Sequence, residues 1–163
     1  MENNFNIAKL VSNNACFDLQ FRKDTRHERT GSPTYYRWKT QFVITAQKEN
    51  IKLLKKVRKT IGCGRITINK GQARLSVQNI NDIVDFVVPF FTKNKLLGNK
   101  KKDFELWQKA VNIIQQNKGK QITKWKKNNL LSLLQIHQSA SKYKNKPKKA
   151  KWISMAKSMT KTL

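Results

Sequence analysis

Two cysteines and two histidines are the residues of this chain that could bind zinc: Cys16, Cys63, His27 and His137. Their spacing matches no pattern of zinc ligands, so we predict no metal site from them. Both cysteines have apolar neighbours, which favours reduced, buried thiols in an intracellular compartment. The cysteines and histidines of the chain therefore predict no metal cofactor.

Positive charge is the chemical feature that dominates the chain. The 163 residues include 35 Lys+Arg against 9 Asp+Glu, a formal net charge of +26. A field of this size attracts polyanions, so nucleic acid is the favoured partner and an anionic membrane surface is the alternative. The longest apolar stretch, "DIVDFVVPFF", contains Asp85 and Pro89 and is too short to span a bilayer, so we predict no membrane partner.

The hydrophobic pattern predicts how the fold presents this charge. Apolar residues alternate in "CFDLQF", "YYRWKTQFVIT" and "GRITINKGQARLSV", which indicates strands, and the last of these forms a hairpin around "NKG". Helical spacing appears in "QKENIKLLKKVRKTIG", from Ile80 to Val88 before Pro89, and in two later segments. We predict an α+β fold of the order α-β-β-α-β-β-α-α, with a four-stranded antiparallel sheet and a C-terminal helix and tail.

The strands share one design, with apolar residues on the helix side and basic or polar residues on the other. Arg and Lys on such a face can contact phosphates, while Gln, Thr and Arg can read base edges or 2′-hydroxyls. Asp18 is the only acid predicted on this face, which favours nucleic-acid binding over simple solvation. Together with lysine runs elsewhere, the predicted contacts are Gln20, Arg22, Arg26, Arg29, Tyr35, Arg37, Lys39, Gln41, Arg65, Thr67, Lys70, Gln72, Arg74, Lys100, Lys101, Lys102, Lys126, Lys127, Lys148 and Lys149.

Three phrases of the sequence resemble a LAGLIDADG homing endonuclease: "IAKLVSNNACF", "FVITAQKENIKLLKKVRKTIGCGRI" and "PFFTKNKLLGNKKKDFELWQKAV". The resemblance covers roughly Phe5 to Gln116. It implies an α-β-β-α-β-β-α unit whose saddle-shaped sheet sits on a DNA groove. We therefore expect a nucleic-acid-binding domain over residues 1–118 and a basic, helical C-terminal extension over residues 119–163.

The first of these phrases aligns with the motif helix of the family. The first acid of the motif falls on Ser12, the metal-binding acid on Asn14 and the glycine that permits close helix packing on Lys9. The resemblance implies divalent metals held by one carboxylate from each of two motif helices, and a neutral Asn14 is a much weaker Mg²⁺ ligand. We therefore expect neither catalysis nor a metal site, and we expect Lys9 to disfavour a homodimer through this helix.

From these features we predict a non-catalytic RNA-binding protein, most specifically an rRNA-binding component of a mitochondrial ribosome with other ribosomal proteins as neighbours. A single unit covers only half of a pseudo-palindromic DNA site, whereas a structured RNA needs no two-fold symmetry. The abundance of Lys, Asn and Ile, which AT-rich codons encode, favours an organellar genome. The alternatives are a group I intron splicing maturase and a divergent DNA homing endonuclease or DNA-binding regulator.

Overall fold

The chain alternates helices and strands in the predicted order. A computed structural model describes residues 2–24, 29–31, 33–144 and 153–162, and for residues 2–6, 8 and 162 it describes the backbone alone. Its elements are α1 (Glu2–Asn14), β1 (Ala15–Asp24), β2 (Tyr35–Gln47), α2 (Ile51–Ile61), β3 (Arg65–Asn69), β4 (Gln72–Val77), α3 (Ile80–Asp82), α4 (Val88–Lys93), α5 (Gly98–Gln116), α6 (Lys127–Ala140) and α7 (Ile153–Thr162).

The four strands form one antiparallel sheet of order β1-β2-β4-β3. Because side chains alternate across a strand, Cys16 and Val43 lie on one side of the sheet, whereas most of the apolar residues of both hairpins lie on the other side, as predicted. Phe17, Phe21, Trp38 and Leu75 are buried there beneath the helices. We call the opposite side of the sheet the open face. The predicted α+β architecture is confirmed.

An aromatic cluster forms the centre of the larger core. The ring of Phe17 on β1 lies 5.1 to 5.4 Å from the rings of Phe42, Phe91, Phe104 and Trp107. These distances suit tilted and edge-to-face aromatic pairs, which stabilise a core beyond the area that they bury. The cluster therefore fixes β1, β2, α4 and α5 relative to one another.

A second core lies under the far end of the long β1–β2 hairpin. Leu19, Phe21 and Trp38 pack there against α6 residues that include Leu133, and Ala156 of α7 is buried in the same cluster. Helices on both sides of residue 118 thus cover the same sheet. The domain boundary at that residue stays a prediction.

The helix that follows β4 corrects one predicted boundary. Asn79 caps it as expected, since its Oδ1 accepts a hydrogen bond from the Asn81 amide at 2.9 Å. The helix does not end before Pro89, however: a π-helical turn, Ile83–Val87, joins α3 to α4, which continues past the proline. A wider turn immediately before Pro89 accommodates a residue that cannot donate a backbone hydrogen bond.

Two further details concern helix α2 and strand β3. Gly62 ends α2 in the left-handed conformation, with φ of 99°, as its position predicts. Ile68 points to the helix side as predicted, but it is 50% exposed because β3 is an edge strand. Within the described ranges, no helix is both long and apolar enough to cross a membrane.

Candidate nucleic-acid interface

The strand register places most of the predicted contacts together on the open face. Gln20 pairs with Lys39 between β1 and β2. Across the other strands, Arg74 of β4 lies between Thr45 of β2 and Thr67 of β3. The residues that share this face are Gln20, Arg22, Arg37, Lys39, Gln41, Arg65, Thr67, Gln72 and Arg74, with Tyr35 at the start of β2.

Two arginines face each other in this register. Arg22 is directly opposite Arg37, and like charges in that arrangement destabilise a sheet. Asp24 gives partial compensation, with its Oδ2 3.9 Å from Nε of Arg37. A strand pair that keeps two cations opposite each other suits an anionic ligand that lies across both strands.

Asp18 was predicted to be the only acid of the open face, but the register also places Asp24 there, and Asp18 itself is held by neighbouring amides. The carboxylate of Asp18 accepts hydrogen bonds from Nε2 of Gln20 and, at 2.9 Å, from Nε2 of Gln41. Asp18 is 7% exposed and Gln41 is 5% exposed. Gln41 therefore lies on the predicted face but is buried, because its amide donates a hydrogen bond to Asp18 instead of pointing to solvent.

Several residues of this face escaped the sequence analysis. Gln78 is exposed just beyond β4, and its Oε1 accepts a hydrogen bond from the Lys39 ammonium at 2.7 Å. The others are Thr45, Gln47 and Asn69. Extending the alternation of β2 by two residues would have indicated Gln47, since the strand runs to that position.

Other predicted contacts lie away from the strands. Arg29 and Lys70 are exposed in the two hairpin connections. Lys126 and Lys127 are exposed at the start of α6, in the helical layer, so the fold does not bring them onto the open face. Lys101 and Lys102 are exposed in α5. Arg26, Lys148 and Lys149 lie outside the described residues.

Lys100, at the start of α5, makes a contact that the sequence did not predict. Its ammonium donates a 2.7 Å hydrogen bond to the carbonyl of Ala15, just beyond the end of α1. Burial lowers its pKa, against the opposing effect of nearby Asp103. Lys100 is therefore positioned at the end of the motif helix and is less available to a phosphate than an exposed lysine.

The end of α1 is the position where the family motif would place its acids. Ser12, Asn13 and Asn14 are exposed there, while Ile7 and Val11 hold the helix on the core. These side chains are neutral, and the described residues contain no group of three or more His, Cys, Asp or Glu that could hold a metal ion. The donor set does not suit Mg²⁺, which prefers carboxylates and water.

Two buried acids, one on β1 and one on α5, have other partners. Asp18 is bonded to its two glutamines, and Asp103 pairs with the Lys144 ammonium at 3.0 Å. Burial raises the pKa of Asp103, an effect that Lys144 opposes.

Cys63 is a half-buried free thiol whose pKa is raised to about 11 by burial, so it is inert at neutral pH.

Four antiparallel strands with a basic open face, preceded by helix α1, define an α+β fold of the class that the sequence resemblance implies. The profile of the family described as LAGLIDADG endonuclease matches residues 8–111, more than half of the chain. The chain belongs to this family. Lys9 is exposed on α1, and its expected effect on homodimer formation stays a prediction.

Relatives with known names and structures agree with that assignment. A probable intron-encoded endonuclease 3 of Neurospora crassa is 32% identical over 93 residues, which are 56% of this chain and 17% of the relative. The structure of the homing endonuclease I-TnaI has a TM-score of 0.73 at 21% identity, with 96% of this chain and 97% of that chain covered.

A third similar protein was solved with nucleic acid. The homing endonuclease I-LtrWI, bound to its target DNA, is 27% identical with a TM-score of 0.70, over 84% of this chain and 44% of that one. The chain thus spans less than half of that relative and about a sixth of the curated one. It matches I-TnaI along nearly the whole length of both chains.

Proposed function

We propose that this chain binds duplex DNA on the open face of its sheet and does not cut it on its own. The observation that carries the proposal is the register of the face, which sets Arg22 opposite Arg37 and Arg74 between two threonines. Arginines supply phosphate contacts and bidentate contacts to guanine, and the polar side chains between them can reach base edges.

The relatives favour DNA over RNA. The curated relative is named a probable intron-encoded endonuclease, and I-LtrWI was solved on a DNA target. The predicted role in a mitochondrial ribosome and the maturase alternative gain no support from them, whereas the DNA-binding alternative does. The relative in Neurospora is intron-encoded, which is in keeping with an organellar genome for this chain.

A non-catalytic role is supported by the residues at the end of α1. Ser12 and Asn14 stand where the motif has its acids, and the ammonium of Lys100 is hydrogen-bonded to the carbonyl of Ala15, the residue that follows Asn14. A cation and neutral amides oppose the binding of a divalent metal at this position. We infer that binding was retained and cleavage was lost.

Competitive binding tests the choice of partner. The protein is incubated with a random DNA pool and a structured RNA pool, each labelled differently, and the retained molecules are sequenced. We expect enrichment of a DNA consensus. Enrichment of RNA in place of DNA would revive the ribosomal or maturase prediction.

A second assay tests catalysis. The enriched DNA is incubated with the protein and Mg²⁺ or Mn²⁺, and we expect no product above the background of a denatured sample. Cleavage that Asn14→Ala abolishes would show that the neutral site is active and would refute the non-catalytic proposal.

A further inference from the structure

Helix α2 carries a second concentration of charge, on the side of the molecule opposite the open face. Leu54 and Val57 are 0% exposed in the core beneath the sheet, so the other side of the helix points to solvent. The residues on that outer side are Lys52, Lys55, Lys56 and Lys59, all of them exposed. We call these four residues the lysine ridge.

The spacing of the lysine ridge is that of a single helix face. Positions i, i+3, i+4 and i+7 lie one above another, and seven residues advance the helix by about 10 Å. Like charges at these spacings destabilise a helix, whereas glutamates at the same spacings would pair with the lysines and stabilise it. Helix α2 has no acid, and within the described ranges no acidic side chain forms an ion pair with any of the four lysines.

We propose that the lysine ridge binds the phosphate backbone of a second DNA duplex while the open face holds the first. This proposal rests on the proposed function for its choice of DNA, but it concerns a separate surface. The sheet and the body of α2 lie between the two surfaces, so one rigid duplex on the open face does not reach the ridge. The chain would then bring two DNA segments together.

The chemistry of the lysine ridge favours a duplex over other anionic partners. Single-stranded nucleic acid is bound by aromatic stacking platforms, and α2 contains no aromatic residue. A helix that lies on a membrane inserts its apolar face, but that face of α2 is buried in the core. Protein interfaces are depleted of lysine. A row of flexible ammonium groups matches repeating phosphates without reading sequence.

A sandwich capture experiment tests this proposal. One DNA duplex is immobilised, the protein is bound to it, and a second, labelled DNA duplex is added after washing. The ridge variant is Lys52→Gln, Lys55→Gln, Lys56→Gln and Lys59→Gln combined. Its matched control removes the same charge from exposed lysines elsewhere: Lys93→Gln, Lys95→Gln, Lys109→Gln and Lys161→Gln combined.

We expect the wild-type protein and the matched control to capture the second duplex. The ridge variant should bind the first duplex normally and capture the second about tenfold less well or worse, since up to four lysine–phosphate contacts, which supply the affinity for a duplex of any sequence, are removed. A variant with Arg37→Ala and Arg74→Ala, immobilised directly, should still bind duplex, and adding the four ridge substitutions to it should remove most of that binding. That arm separates the two surfaces, because ridge binding would persist even if the open face bound nothing.

Three results would overturn the proposal. The first is failure of the wild-type protein to capture a second duplex. The second is equal capture by the ridge variant and its matched control, which would show that overall charge suffices. The third is capture of an RNA duplex or of anionic phosphatidylserine vesicles by the ridge when DNA is not captured.

Discussion

The Lys144 ammonium lies 3.0 Å from Oδ1 of Asp103 and ties the chain after α6 to the first turns of α5. The same ammonium donates a 2.6 Å hydrogen bond to the carbonyl of Phe17 on β1. Asp103 is 1% exposed. Three segments that are distant in sequence are thus joined at one buried charge.

Removing the lysine from this pair should destabilise the fold strongly. Lys144→Met leaves the Asp103 carboxylate buried without a partner, which costs about 3–5 kcal/mol in comparable buried pairs. Urea unfolding followed by circular dichroism measures the loss. Asp103→Asn in the Lys144→Met background should recover part of it, because the isolated charge is then absent. Lys142→Met, at an exposed neighbouring position, is the control and should change stability little.

Two arginines of the open face test its role in DNA binding separately from the stability of the fold. Arg37→Ala combined with Arg74→Ala should weaken DNA binding and reduce the salt slope by about two units, one for each lost phosphate contact. Both side chains lie outside the two cores, so the free energy of unfolding should change little. Fluorescence anisotropy at several salt concentrations gives the slope. Unfolding of this variant, or unchanged binding, would contradict the assignment of the face.

The neighbouring tryptophan should behave in the opposite way. Trp38 is 3% exposed in the second core, so Trp38→Ala should cost about 3–5 kcal/mol of stability. Its indole Nε1 has no hydrogen-bond partner among the described residues. Trp38→Phe should therefore cost clearly less than Trp38→Ala, since it keeps an aromatic ring, leaves a smaller cavity and removes a buried donor. Thermal unfolding compares the two variants, and equal losses in both would refute this account.

The sequence predicted the elements and their faces because each depends on local periodicity. Residues with the alternation of Phe17, Leu19 and Phe21 place their apolar side chains on one side of the strand, which predicts the side that faces the core. The sequence could not predict the hydrogen bond from Gln41 to Asp18, because that contact depends on the register between two strands. The pairing of Lys144 with Asp103 was hidden for the same reason, since it joins residues far apart in the chain.

The stability of the fold should depend on pH through His137. Burial lowers the pKa of this imidazole below its ordinary value of 6.5, while Asp18 opposes the effect and Lys144 and Lys157 add to it. The unfolded chain takes up this proton near pH 6.5, whereas the folded chain resists until a lower pH. The unfolded state therefore binds more protons in that window, and the free energy of unfolding falls as the pH falls below about 6.5.

Replacing the imidazole isolates its contribution from that of the carboxylates. His137→Gln should lose less stability than the wild-type protein between neutral pH and about pH 5, above the range where most carboxylates titrate. Urea unfolding at several pH values gives the two curves. His27→Gln serves as the control, since it removes the other histidine and should leave the pH dependence that arises from His137 in place. Parallel curves for the wild-type protein and His137→Gln would show that the buried imidazole is not the group responsible.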